Sequence, residues 1–194
     1  MNATTADRAI PSVLPELEAE KTRVIRATRM GVGMPIAGMV YWLAFAVLIS
    51  RFEIQSAVYM AFFATELVFP LGILFTRMAG GDLFTKSPPL TALGLQLAAV
   101  QIFFWPVITI LASLAPRWTP YCMAVLFGSH FLPYGWLYRS RGYMVLTILT
   151  TLATTATVLI ARGPVPQIVP LVTAACYLVA ILIIRAETAK ALRD

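Results

Sequence analysis

Six long apolar runs follow one another along this chain of 194 residues and constrain its fold more than any other feature. A helix needs roughly 20 apolar residues to cross the hydrocarbon core of a bilayer. Only 12% of the residues are charged and 59% are hydrophobic, which is typical of membrane proteins rather than soluble domains. The sequence therefore predicts an all-α integral membrane protein, a six-transmembrane-helix bundle with spans over residues 30–50, 54–76, 90–115, 118–138, 142–161 and 166–185.

The segment before the first span, residues 1–29, is the one extended polar stretch. Acidic residues precede basic ones in it, the order that the helix dipole favours. Its apolar residues recur at helical spacing, so we expect an amphipathic helix on the cytoplasmic membrane surface. Its basic end would contact anionic lipid head groups. The transmembrane domain then covers residues 30–185, and residues 186–194 form a cytoplasmic tail.

Basic residues are distributed unequally between the two ends of the expected bundle. Arg51, Arg117 and Arg162 fall in the first, third and fifth connections, and the other twelve of the 15 fall on the opposite side. The positive-inside rule therefore puts both termini in the cytoplasm of a multi-pass protein, and we expect the bacterial inner membrane. The net charge of +6 has the same explanation, and because the basic residues lie in separate short loops we expect no nucleic acid partner. The twelve are Arg8, Lys21, Arg23, Arg26, Arg29, Arg77, Lys86, Arg139, Arg141, Arg185, Lys190 and Arg193.

A few polar side chains fall near the middle of the expected spans. Glu66 is the only acid deep in a span, His130 is the only histidine, and Gln101 lies at a similar depth. Tyr134 follows His130 by four residues and shares its helix face. Polar groups at the bilayer centre are costly, so they face the bundle interior and find partners, and function is the default hypothesis for an intramembrane acid. We expect Glu66 to pair with His130 or Gln101 at a ligand- or proton-binding site.

Each of these three helices also carries a proline close to its polar residue. Pro70 follows Glu66, Pro106 follows Gln101, and Pro133 follows His130. A proline inside a helix removes one backbone hydrogen bond and kinks the helix. Kinked helices near the midplane are typical of transporter binding sites, although proline is also common in ordinary membrane helices.

The intramembrane residues also bear on other classes of site. No lysine or aspartate lies in a span, which excludes a retinal-type Schiff base and an intramembrane aspartyl protease. One histidine and two separated cysteines, Cys122 and Cys176, indicate no metal and no cofactor. An enzyme would need a second catalytic group facing His130, and the sequence offers none.

Three functions remain open. The leading hypothesis is a transporter or channel-like protein for a proton, a cation or a small molecule with one polar end. The alternative is a non-transporting lipid-interacting or accessory subunit, in which the same residues only hold helices together. A membrane-embedded enzyme is the third. The expected partners are the lipid bilayer and, in a small bundle of this kind, a second copy of the chain.

Overall fold

The computed structural model of the protein describes the backbone of residues 3–84 and 88–193, with side chains from residues 14–84 and 89–193. The side chains of Arg8 and Lys86, counted above among the cytoplasmic charges, lie outside this part. The described residues form helices and turns and no strand. The helices are α1 (Ala3–Thr28), α2 (Gly33–Arg51), α3 (Ile54–Ala64), α4 (Val68–Met78), α5 (Pro88–Ala99), α6 (Trp105–Leu114), α7 (Thr119–Ser129), α8 (Leu132–Leu137), α9 (Arg141–Ile160) and α10 (Val169–Ala191).

Five helical stretches in the described part of the chain are long and apolar enough to cross a membrane. Short 3₁₀ segments join α3 to α4 and α5 to α6, so each of these pairs makes one stretch. The protein is accordingly an all-helical, multi-pass membrane protein. The five stretches are Leu14–Arg51, Ile54–Met78, Pro89–Leu114, Arg141–Ile160 and Val169–Ala191, and in the first of them a turn separates α1 from α2, which alone is long enough to span.

The fourth expected span, residues 118–138, is not one continuous helix. It consists of α7 and α8, and the helix is interrupted at His130 and Phe131. Pro133 explains the interruption, because its ring cannot donate to the carbonyl of Ser129 one turn earlier. Neither piece reaches the length of a bilayer span, so the count of six spanning helices stays a prediction.

The N-terminal segment forms a helix, α1, that a sharp turn separates from α2. Arg29, Met30 and Gly31 all have left-handed backbone angles, with φ of 53°, 54° and 61°. The Tyr143 hydroxyl of α9 donates to the carbonyl oxygens of Met30 (2.7 Å) and Gly31 (3.2 Å). The apolar face of α1, with Val24 buried, packs against the bundle, and its position at the cytoplasmic membrane surface stays a prediction.

The helix α2 lies at the centre of the bundle and packs against α3, α4 and α10, while α9 packs against α7 and α10. Glycines allow two of these close approaches. A Cβ atom at Gly33 would lie 2.2 Å from the backbone nitrogen of Thr76, and one at Gly142 would lie 2.5 Å from the Ile184 side chain. These positions fix how closely α2 approaches α4 and α9 approaches α10.

The helix α5 stands apart from this tightly packed group. Among the described residues its main contacts are with α1, α8 and the 3₁₀ segment Val100–Phe104 that follows it. It makes no extensive contact with α4, which precedes it in the chain. The separation leaves a space between α4 and α5.

The N-terminal helix, the second and fourth connections and the end of α10 meet at one end of the bundle. The backbone N–H of Asp82 donates to the carbonyl of Ala27 at 2.8 Å. Glu187, expected to lie in a tail, is still helical in α10 and accepts a 2.9 Å hydrogen bond from the backbone N–H of Arg141. This end carries most of the basic residues, and its cytoplasmic location stays a prediction.

Candidate functional site

A cavity of about 340 Å³ fills the space between α4 and α5. Glu66, Gln101, His130 and Tyr134 all line it, so residues singled out in three different expected spans converge on one space. A volume of this size falls at the lower end of small-molecule pockets, which measure roughly 300–1,000 Å³. The cavity is therefore the candidate functional site.

Gln101 and His130 contact each other directly. Their Nε2 atoms lie 2.5 Å apart, and the other ring nitrogen, Nδ1, lies 2.5 Å from the carbonyl oxygen of Phe127. A carbonyl can only accept, so Nδ1 carries the ring proton and Nε2 of the neutral imidazole presents a lone pair. The amide N–H of Gln101 donates to that lone pair. The pair thus presents a neutral, oriented imidazole to the cavity.

Tyr134 links α8 to α5 across the cavity. Its hydroxyl donates to the carbonyl oxygen of Gly94 at 2.8 Å. Its ring meets the His130 ring edge to face, with centroids 6.2 Å apart. His130 and Tyr134 therefore lie on a shared face, as the sequence predicted. Tyr134 also holds in place α5, which otherwise stands apart from the bundle.

Glu66 lines the same cavity but does not pair as expected. It lies in the 3₁₀ turn Thr65–Leu67 and its side chain is exposed. No residue in the described part of the chain forms a hydrogen bond or ion pair with it, and Gln101 and His130 bond to each other instead. A carboxyl group without a protein partner therefore lies in the cavity wall.

The helix is irregular in the turn before each of the three prolines. A 3₁₀ turn at Thr65–Leu67 precedes Pro70, another at Val100–Phe104 precedes Pro106, and the break at His130 precedes Pro133. Each proline leaves a carbonyl without its helical donor, and the chain relaxes locally around it. Glu66, Gln101 and His130 all lie within these irregular turns.

The structure adds cavity residues that the sequence did not single out. Val24, Thr28 and Gly31 of the N-terminal segment form one part of the wall, and Tyr143 forms another. The amphipathic pattern of α1 identified its buried face, but nothing local indicated that this face would close a cavity. The N-terminal helix is therefore part of the site.

Charged groups hold α1 against the fourth connection. Arg139 pairs with the Glu18 carboxylate and donates to the Glu18 carbonyl at 3.2 Å. Lys21 lies 3.5 Å from Glu18, and its ammonium lies 4.2 Å from the centre of the Trp136 ring. These contacts keep α1 over the cavity.

A second, much smaller void of about 30 Å³ shares the Gln101–His130 pair with the large cavity. It is lined on its other sides by Tyr41, Trp42 and Tyr177. A polar void of this size can hold about one water molecule. The hydrogen-bonded pair therefore lies between a space that suits a small molecule and one that suits a water.

These features define a polytopic helical membrane protein with a largely apolar cavity, open on one side, into which polar residues of interrupted helices project. The chain belongs to a family described as a family of unknown function (DUF7010), which matches residues 17–187. The match covers all the described cavity residues and includes most of the α1 face that closes the cavity. No curated protein and no solved structure matches the chain.

Proposed function

We propose that this protein is a small transporter or channel-like protein that binds a proton, a cation or a small molecule in the cavity between α4 and α5. The observation that carries the proposal is the convergence of Glu66, Gln101, His130 and Tyr134 on that one cavity. Polar groups at membrane depth are costly, so a cluster of them around an open space is best explained by a ligand.

The helix interruptions support transport over a static role. The irregular turns at Thr65–Leu67, Val100–Phe104 and His130 all lie beside the cavity. Irregular backbone at membrane depth is tolerated where it is buried or lines a cavity, and broken helices carry the binding sites of many transporters. In this proposal these turns act as hinges.

The proposed setting is a bacterial inner membrane that six helices cross, with both termini in the cytoplasm. The contacts that gather the basic connections at one end of the bundle support this orientation. Anionic lipid head groups are proposed to bind the basic residues there, and a second copy of the chain is a further proposed partner.

A lipid-interacting accessory subunit is the second candidate, and the mouth of the cavity favours it. Phe69, Leu95 and Ile102 line the cavity and are also 38%, 39% and 58% exposed. Apolar side chains at this depth face lipid, so a lipid acyl chain could enter between α4 and α5. In this case Glu66 and His130 would contribute to stability rather than to binding of a small molecule.

Native mass spectrometry of the purified protein distinguishes these functions. The wild type should carry a recurring bound mass that is not a phospholipid, and Glu66→Gln and His130→Ala should each lose it. Glu16→Gln is the matched control, because Glu16 is an exposed carboxylate outside the cavity lining. Phospholipids alone in all four proteins would overturn a small-molecule site and favour the accessory role.

Proton transport needs its own assay, because a proton leaves no bound mass to detect. The purified protein would be placed in vesicles containing a pH-sensitive dye, and an imposed pH gradient would be followed. A wild-type flux that Glu66→Gln removes and Glu16→Gln retains supports conduction. Equal and negligible flux for all three proteins contradicts it.

A further inference from the structure

The described lining of the large cavity carries charge of one sign only. Glu66 is an ionisable carboxyl in its wall, and the described lining contains no lysine and no arginine. The other polar groups of the described lining are hydroxyls, the indole N–H of Trp105, the amide of Gln101 and the neutral imidazole of His130. An anion would find no fixed positive charge in this lining, whereas a cation would find a carboxylate without a protein partner.

Aromatic rings make up much of the remaining wall. The face of an aromatic ring attracts a cation, most strongly where both are removed from water. Tyr134 and Tyr143 are held in place by hydrogen bonds to the carbonyl oxygens of Gly94 and Met30, so their rings are fixed. The aromatic lining residues are Phe69, Trp105, Phe131, Tyr134, Tyr138 and Tyr143.

The mouth and the size of the cavity restrict the ligand further. Leu95 and Ile102 border the cavity and are exposed in a stretch apolar enough to cross a membrane, so we expect them to face lipid. A ligand that enters here must be soluble in the bilayer, which excludes a small hydrated metal ion as its main occupant. At about 340 Å³ the cavity suits an organic molecule, not a bare ion.

We propose that the ligand of this cavity is a lipophilic organic cation, such as a hydrophobic amine or quaternary ammonium compound, paired with the Glu66 carboxylate among aromatic rings. This inference rests on the proposed function and names its substrate class. The positive group would lie near Glu66 and the apolar body would lie against Phe69, Trp105 and Phe131. The hydrogen-bonded Gln101–His130 pair closes the inner end of the cavity.

Isothermal titration calorimetry with two isosteric probes tests the charge directly. Benzyltrimethylammonium carries the positive charge, and neopentylbenzene has the same shape with carbon in place of nitrogen. Both are titrated into the detergent-solubilised protein and into protein-free micelles, so that partition into detergent is subtracted. The wild type should bind the cation at least tenfold more tightly than its neutral isostere.

Variants locate the binding. Glu66→Gln should weaken binding of benzyltrimethylammonium at least tenfold, Glu66→Asp should retain part of it, and Glu16→Gln should leave it unchanged. Size-exclusion chromatography of each variant establishes that it is folded. Equal binding of the two probes, with no effect of Glu66→Gln, overturns the cation assignment and leaves the cavity as a ligand site. Absence of binding by either probe, together with phospholipids alone in native mass spectra, overturns the proposed function as well.

Discussion

The side chains of Gln101 and His130 form a hydrogen bond between the third and fourth apolar segments, with 2.5 Å between their Nε2 atoms. A second hydrogen bond, from Nδ1 of the same ring to the carbonyl of Phe127, sets which nitrogen carries the proton. The two bonds together leave the imidazole no free rotation. Gln101 is therefore a positioning residue for His130 and for the inner wall of the cavity.

Replacing Gln101 with leucine should destabilise the protein by about 1–3 kcal/mol, because Nε2 of His130 loses its donor in a partly buried site. The free energy of unfolding, measured by chemical denaturation in detergent, checks this expectation. Gln96→Leu is the matched control, since Gln96 is exposed one to two turns earlier. If Gln96→Leu lowered the free energy of unfolding as much as Gln101→Leu, that result would argue against the Gln101–His130 hydrogen bond.

Removing the Tyr143 hydroxyl should release the turn between α1 and α2. Tyr143→Phe loses the single O–H proton that the carbonyls of Met30 and Gly31 share, at an expected cost of about 1–2 kcal/mol. Unfolding in detergent measures that cost. Tyr121→Phe, which loses a 3.2 Å contact with Thr155 in a part-buried site, should cost less. A larger loss of stability for Tyr121→Phe than for Tyr143→Phe would show that the turn does not depend on Tyr143.

Glu187 caps the start of α9 from another helix. Its carboxylate accepts hydrogen bonds from the Ser140 hydroxyl and from the backbone N–H groups of Arg141 and Gly142. A negative group at a helix N-terminus is favourable, so Glu187→Ala should cost about 1–2 kcal/mol and Glu187→Gln less. Both values come from unfolding in detergent, with Glu16→Ala as the control. No difference between Glu187→Ala and Glu16→Ala would contradict a capping role.

A single methyl group at Gly33 should force α2 and α4 apart. Its Cβ would lie 2.2 Å from the backbone nitrogen of Thr76 and 2.4 Å from the carbonyl oxygen of Gly72. Because both neighbours are backbone atoms, we expect Gly33→Ala to cost about 1–3 kcal/mol or more. Gly163→Ala is the control, since a Cβ there meets nothing within 4 Å. Thermal unfolding in detergent compares them, and equal midpoints would rule out close packing at Gly33.

The limits of the helices were largely predictable, because an apolar run of bilayer length leaves few alternatives to a helix. The expected span 54–76 compares with the helical stretch Ile54–Met78, and 142–161 compares with Arg141–Ile160. The last span was expected to end at residue 185, and its helix continues to Ala191. Hydropathy marks where a span leaves the membrane, whereas a helix ends where a breaker or a cap stops it.

Three polar residues of the cavity, Glu66, Gln101 and His130, could be singled out from the sequence, because ionisable and amide groups at membrane depth are rare. Their partners could not. Which face of each helix turns towards its neighbours depends on how the helices pack, so the sequence could not decide between Gln101 and Glu66 as the partner of His130. The partner of Glu187 was not predictable either, because its contact with Ser140 joins residues 47 positions apart.

The left-handed turn at Arg29, Met30 and Gly31 has a consequence for engineering the protein. It folds α1 back so that Val24 and Thr28 become part of the cavity wall. A shortened variant that begins at the first apolar run would keep the membrane helices but lose one side of the site. Fusion partners and affinity tags therefore belong at the C-terminus, where α10 extends beyond its apolar section.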